Sequence, residues 1–342
     1  MTFLYAAAHF LVDFLCAWAM FASFREGEYG NFLIYNFCAF ALQMPFGTLL
    51  DLLRSRSGRE TRHWMPFLWT LAGMLLTVLG ALLHPAVLGV GNALFHVGGG
   101  MDVIGEDFRK DRRGSALGLF VAPGALGLYF GTLLGKRDAG IVVLLTGTIL
   151  LFTMASLLRK QKKTLPEWQL APIPKERGNM LLLVLYCFLV VVLRSWVGLA
   201  VSFSWKSKPA LALLAVACVA AGKMLGGFVS ARWGIRRTAI SSLILAACCY
   251  LLGEIPGFGL LALLLFNMSM PVTLYLLAVN MPQLPGFSLG LLTFGLFLGF
   301  LPVYAGVELP VSGPVFGLMG GLASLILLAA AGKAVDSDRV SA

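Results

Sequence analysis

Twelve apolar stretches, each set off from the next by turn residues or charge, run through the chain at 2–24, 31–53, 64–83, 86–104, 115–134, 140–158, 180–203, 210–230, 238–252, 258–279, 287–305 and 311–331. A membrane-crossing helix needs about 20 mainly apolar residues, because the hydrocarbon layer is about 30 Å thick and each residue rises about 1.5 Å. The pattern therefore predicts an all-α polytopic membrane protein with 12 transmembrane helices. Six stretches precede a polar, proline-bearing segment and six follow it. The expected division is an N-terminal six-helix bundle at 1–158, a linker at 159–178, a C-terminal six-helix bundle at 179–332 and a tail at 333–342.

Composition agrees. Of the 342 residues 59% are hydrophobic and 12% charged, whereas soluble domains carry about 25% charged residues. The net charge of +10 would suit a nucleic-acid binder if it were clustered on a folded surface, but its Lys and Arg sit in short loops between the apolar runs. With the loops alternated from a cytoplasmic N-terminus, nineteen of them fall on the cytoplasmic side and five on the other, while Arg194 and Lys223 fall inside helices. That bias places both termini in the cytoplasm. The first stretch lacks the basic flank of a signal peptide and carries His9 and Asp13, so it is read as helix 1. None of the six cysteines has C-x-x-C spacing, and all are read as small packing side chains.

The chain also repeats itself. Gly47-Thr-Leu-Leu-Asp51 leads into Arg54, Arg56 and Arg59 after helix 2, and Gly227 leads into Arg232, Arg236 and Arg237 after helix 8. The two glycines are 180 residues apart, which marks two related halves.

Two six-helix halves, a basic linker and a Gly-x-x-x-Asp plus Arg loop in each half together resemble the major facilitator superfamily. The resemblance implies that Gly47 and Gly227 let helices approach closely, and that Asp51, Arg54, Arg59, Arg232 and Arg236 form cytoplasmic latches. Ala231 stands where the second acid would be. Three segments, His9-Phe-Leu-Val-Asp13, Phe95-His96 and Leu193-Arg194-Ser-Trp196, resemble the fosmidomycin-resistance exporters within that superfamily, although Val97-Gly98 replaces the Pro-Glu of that group. The stretch from Ala122 to Gly131 loosely resembles the superfamily's glycine-rich antiporter motif and equally suits plain helix packing.

Ionisable residues at mid-membrane cost about 2.5–3.5 kcal/mol each on insertion scales, so they face a partner or a wet cavity. His9 and Asp13 share one face of helix 1, four residues apart, and Cys16 continues it. Asp13, His96, Arg194 and Asn267 lie at one depth on helices 1, 4, 7 and 10, the helices that line the central cavity in the superfamily. The expected roles are proton coupling for His9 and Asp13, with Arg194 a partner for Asp13, and a substrate cavity built from Asn92, His96, Arg194 and Asn267. Asp102 and Lys223 are expected to pair as an inner gate. Gly98, Gly99 and Gly100 provide either a hinge or close packing.

The chain is thus expected to be a secondary active transporter that exports a small polar or anionic organic molecule in exchange for protons. It is expected to act as a monomer, without cofactor, resident metal or nucleic acid, in a bacterial inner membrane. The alternative is a transition-metal or metal-complex transporter using His9, Asp13, Cys16 and His96 with Met268 and Met270. H-E-x-x-H and the phosphate-binding glycine loop are absent from the sequence, so no enzyme is expected.

Overall fold

The computed structural model describes residues 1–25, 28–110, 112–137, 140–166 and 179–336. Most of the linker, with Lys175 and Arg177, and the end of the tail, with Arg339, lie outside the described residues. The rest is helical, and eleven helices are long and apolar enough to cross a membrane. In chain order these are α1 (Thr2–Ala22), α2 (Tyr29–Arg56), α3 (Arg59–Leu83), α4 (Pro85–Arg109), α5 (Ser115–Gly135), α6 (Ile141–Lys163), α7 (Met180–Ala200) and α8 (Pro209–Trp233), followed after α9 by α10 (Pro256–Asn280), α11 (Pro285–Tyr304) and α12 (Gly313–Lys333). Helix α9 (Ile235–Leu251) is apolar but shorter, at 17 residues.

Three of these helices are interrupted, each with a local cause. In α2 a π-helical turn at Phe37–Ala41 disturbs the backbone ladder, and Gln43 Nε2 donates to the Ala39 carbonyl at 2.7 Å. In α5 the helix stops at Val121 and restarts at Gly124, since Pro123 brings no N–H to the turn. In α10 the break at Met268 lies three residues before Pro271.

Two compact units emerge. The first comprises Met1–Asp111, Leu119–Leu170 and Leu284–Phe294; the second comprises Arg112–Gly118, Ala171–Gln283 and Gly295–Ala342. In the first, α5 lies along α1 on a stripe of glycines. A Cβ on Gly127, Gly131 or Gly135 would strike the Phe10, Phe14 or Trp18 carbonyl at 2.3, 2.2 and 2.7 Å. The glycine-rich stretch of α5 therefore packs a helix, whatever else it does. The second unit is cored by Val190, Val197, Tyr250, Phe266, Phe316 and their neighbours.

The grouping departs from the sequence division at two places, the first turns of α5 and α11, and the repeated motif explains both. A Cβ on Gly47 would lie 2.0 Å from the Gly286 carbonyl, so α2 and the start of α11 touch backbone to backbone. A Cβ on Gly227 would lie 2.6 Å from the Gly114 carbonyl, so α8 and the start of α5 do the same.

Candidate functional site

A polar seam joins α1 and α4. Helical spacing puts Tyr5, His9 and Asp13 on one face of α1, and Asn92, His96 and Asp102 face them from the antiparallel α4. Each level of the seam has its own contact. Tyr5 donates to Asp102 Oδ2 at 2.7 Å, His9 Nε2 meets His96 Nε2 at 2.9 Å, and Asn92 Nδ2 donates to Asp13 Oδ1 at 3.0 Å. His9, Asp13 and Asn92 are buried and His96 is half-buried. The Asp13 carboxylate is held by His9 and Asn92.

The break in α5 shapes this site. His9 Nδ1 lies 2.7 Å from the Phe120 carbonyl, which sits in the turn that Pro123 interrupts. A Cβ on Gly124 would lie 2.4 Å from both Asp13 Oδ2 and His9 Nε2. Thus the helix break supplies an acceptor and the glycine leaves room for the side chains.

Proton positions follow from the partners. A carbonyl oxygen only accepts, so His9 carries hydrogen on Nδ1, and so does His96, whose Nδ1 lies 2.8 Å from the Asn92 carbonyl. Both Nε2 atoms then point into the cluster. Asp13 Oδ2 is 3.0 Å from His9 Nε2, and Asp13 Oδ1 is 3.8 Å from His96 Nε2. With both rings neutral and the carboxylate ionised, three lone-pair acceptors would face one another without a donor. One shared hydrogen, on either Nε2 or on the carboxyl, satisfies the arrangement.

At the Tyr5 level a second buried group appears. Lys162 Nζ lies 2.7 and 2.6 Å from the two oxygens of Asp102, and both side chains are almost fully enclosed. One expectation is corrected: Lys162 belongs to α6 instead of the linker, because the helix runs to Lys163 before it ends. Nearby, Glu106 of α4 pairs with Arg109 and Lys110.

At the first latch Asp51 binds the start of another helix. Asp51 Oδ1 accepts the N–H of Gly286 at 3.0 Å and Oδ2 accepts the N–H of Phe287 at 2.8 Å. These are among the unpaired amides at the start of α11, where an acid is favoured by hydrogen bonding and by the helix dipole. Arg54 is buried and reaches Met101 Sδ at 3.5 Å and the Arg62 carbonyl at 3.4 Å. Arg59, Arg232 and Arg236 are exposed.

Gly98, Gly99 and Gly100 each accommodate a different neighbour. Their Cβ positions would meet the Pro66 carbonyl at 2.4 Å, the Tyr5 ring at 3.2 Å and the Leu289 side chain at 2.7 Å. Close packing accounts for all three.

In the second unit Arg194 is buried on α7, and its Nε has no hydrogen-bond partner among the described residues. Asn267, half-buried at the end of the first segment of α10, donates to the Leu263 carbonyl of its own helix at 2.8 Å.

No family model and no curated protein sequence matches the chain. Solved structures do match. The E. coli fucose:proton symporter FucP superposes with a TM-score of 0.64 at 14% identity, covering 97% of this chain and 96% of that one. A bacterial homologue of the iron transporter ferroportin, in an outward-facing state, gives a TM-score of 0.61 at 14% identity, covering 97% and 98%. Matched over nearly its whole length by transporters of the same architecture, the chain has the fold of the major facilitator superfamily.

Proposed function

We propose that this protein is a secondary active transporter that moves a small polar or anionic organic molecule by alternating access, with the His9–Asp13–His96 cluster as its proton-binding site. The observation that carries the reading is the set of three converging acceptors, which calls for one shared proton that can be passed on when the cluster is rearranged. A buried carboxylate and imidazole exchange protons with water whenever burial and partners change. The buried Arg194, whose Nε has no hydrogen-bond partner among the described residues, supports an anionic or polar cargo, since a buried cation short of an acceptor suits a ligand that brings one. Export, twelve spans, cytoplasmic termini, two six-helix halves and a bacterial inner membrane complete the proposal, on the Lys and Arg distribution, the internal repeat and the resemblance to efflux proteins. Asn92 and Asn267 are proposed as cavity polar groups, and Asp51 as the latch on α11.

The test uses the full chain in detergent and then in liposomes. Small organic anions are screened by thermal stabilisation of the wild type and of Arg194→Ala. Flux of any hit is then followed with a pH-sensitive dye inside the vesicles. Stabilisation that needs Arg194, with substrate movement tied to proton movement and lost in Asp13→Asn, is expected. Substrate flux that ignores an imposed pH gradient would overturn the coupling.

A further inference from the structure

We infer that His9, Asp13 and His96 form a binding site for a divalent transition-metal ion of the Zn²⁺ and Co²⁺ class. The coordination rests on geometry alone and stands apart from the functional reading above. Among the described residues, these three bring their ligand atoms within 4.8 Å of one another. Two nitrogens bound to one tetrahedral zinc stand about 3.3 Å apart, given metal–nitrogen bonds of about 2.0–2.1 Å. The two Nε2 atoms stand 2.9 Å apart and His9 Nε2 stands 3.0 Å from Asp13 Oδ2, just inside that edge, while His96 Nε2 lies 3.8 Å from the other carboxylate oxygen, so a small adjustment of side chains admits the ion.

The surroundings match a metal site as well as the ligands do. Metal-binding imidazoles almost always donate their other N–H to a carbonyl, carboxylate or water, which fixes the ring and its tautomer. Here both rings do so, to Phe120 and Asn92. Asn92 Nδ2 anchors the carboxylate from its far oxygen. The Asn92 amide oxygen, buried beside the cluster, has no partner among the described residues, and it suits a water carried by the ion. Two imidazoles and one carboxylate favour zinc, cobalt or nickel over calcium or magnesium. Three protein ligands leave a fourth position open for water or an anion.

The other ionisable groups around the cluster do not compete for the ion. Cys16 lies one turn along α1 with Tyr35 of α2 beside it. Tyr5, Asp102 and Lys162 satisfy one another at the next level of the seam, and Tyr129 is the ionisable side chain of α5.

The experiment is titration of the purified full-length protein in detergent with Co²⁺. It reads the visible absorption of tetrahedral cobalt. One ion per chain is expected, with affinity at least about tenfold weaker in His96→Ala and unchanged in His84→Ala, since His84 caps α4 at the surface. Thermal midpoints without metal show whether each variant folds, and His96→Gln serves if the alanine variant does not. Absence of a tetrahedral spectrum in the wild type, or one that survives in both His96 variants, overturns the inference. If cobalt does not bind while substrate flux still follows the pH gradient, the metal site fails and the proton site stands. If cobalt binds but flux ignores the gradient, the functional reading fails and the metal site stands.

Discussion

His9 donates its Nδ1 hydrogen to the carbonyl oxygen of Phe120 across 2.7 Å, and Gly124, four residues further on, leaves the space in which His9 Nε2 meets Asp13. The two facts give a prediction. Gly124→Ala puts a methyl about where Asp13 Oδ2 and His9 Nε2 now lie, 2.4 Å from its Cβ. Overpacking of this kind costs about 1–3 kcal/mol, so the thermal midpoint falls moderately while cobalt binding and proton-coupled flux are lost. A variant that keeps both would show that the cluster does not depend on the α5 break.

Lys162 and Asp102 are both enclosed, and removing one partner of such a pair costs about 3–5 kcal/mol, because the other charge is left buried. Lys162→Met is expected to lower the thermal midpoint strongly, while Lys162→Met with Asp102→Asn recovers much of the loss. Tyr5→Phe, which removes a single neutral donor to Asp102, costs about 1 kcal/mol. Thermal melts of the three variants in one detergent check the order, and an equal loss in single and double variants would refute the pairing.

At the start of α11, Asp51 fills the role of an N-terminal cap supplied from another helix. Replacing such an acceptor costs about 0.5–2 kcal/mol. Asp51→Ala is expected to weaken the unit by that amount and to speed amide exchange at Gly286 and Phe287. Arg59→Ala, at an exposed position, leaves those amides unchanged. Hydrogen exchange read at peptide resolution distinguishes the two, and equal protection in Asp51→Ala would remove the cap from the account.

How much of this is legible in the sequence varies with distance along the chain. The i, i+4 pairs His9 with Asp13 and Asn92 with His96 are each plain on their own helix, and the structure's contribution is to set them face to face. Tyr5 is one turn before His9, so its place on the seam was also readable. The polar, proline-bearing stretch that begins at Arg159 places Lys162 in the linker. Yet Leu144, Gly147, Leu151, Ala155 and Leu158 form the buried face of α6, and the same spacing continues to Lys162. The bond from Asp51 to Gly286 spans 235 residues, and no local pattern points to it. Only the repeat of Gly47 at Gly227 hints that both motifs dock on helix starts.

Arg194 tests the proposed cargo. Its guanidinium is enclosed on α7, where burial removes its hydration and Nε gains no acceptor in return. Such a group costs stability, as functional charges in membranes do. Arg194→Met keeps the length of the side chain and drops the charge, so the variant without ligand is expected to be as stable as the wild type, or more stable by about 1–4 kcal/mol. Stabilisation by an organic anion should vanish in the same variant, whereas cobalt binding at His9, Asp13 and His96 should persist. Thermal melts with and without anion, run beside the cobalt titration, read all three. A variant that melts far below the wild type would mean that Arg194 is a structural partner, and its assignment to the substrate would fall.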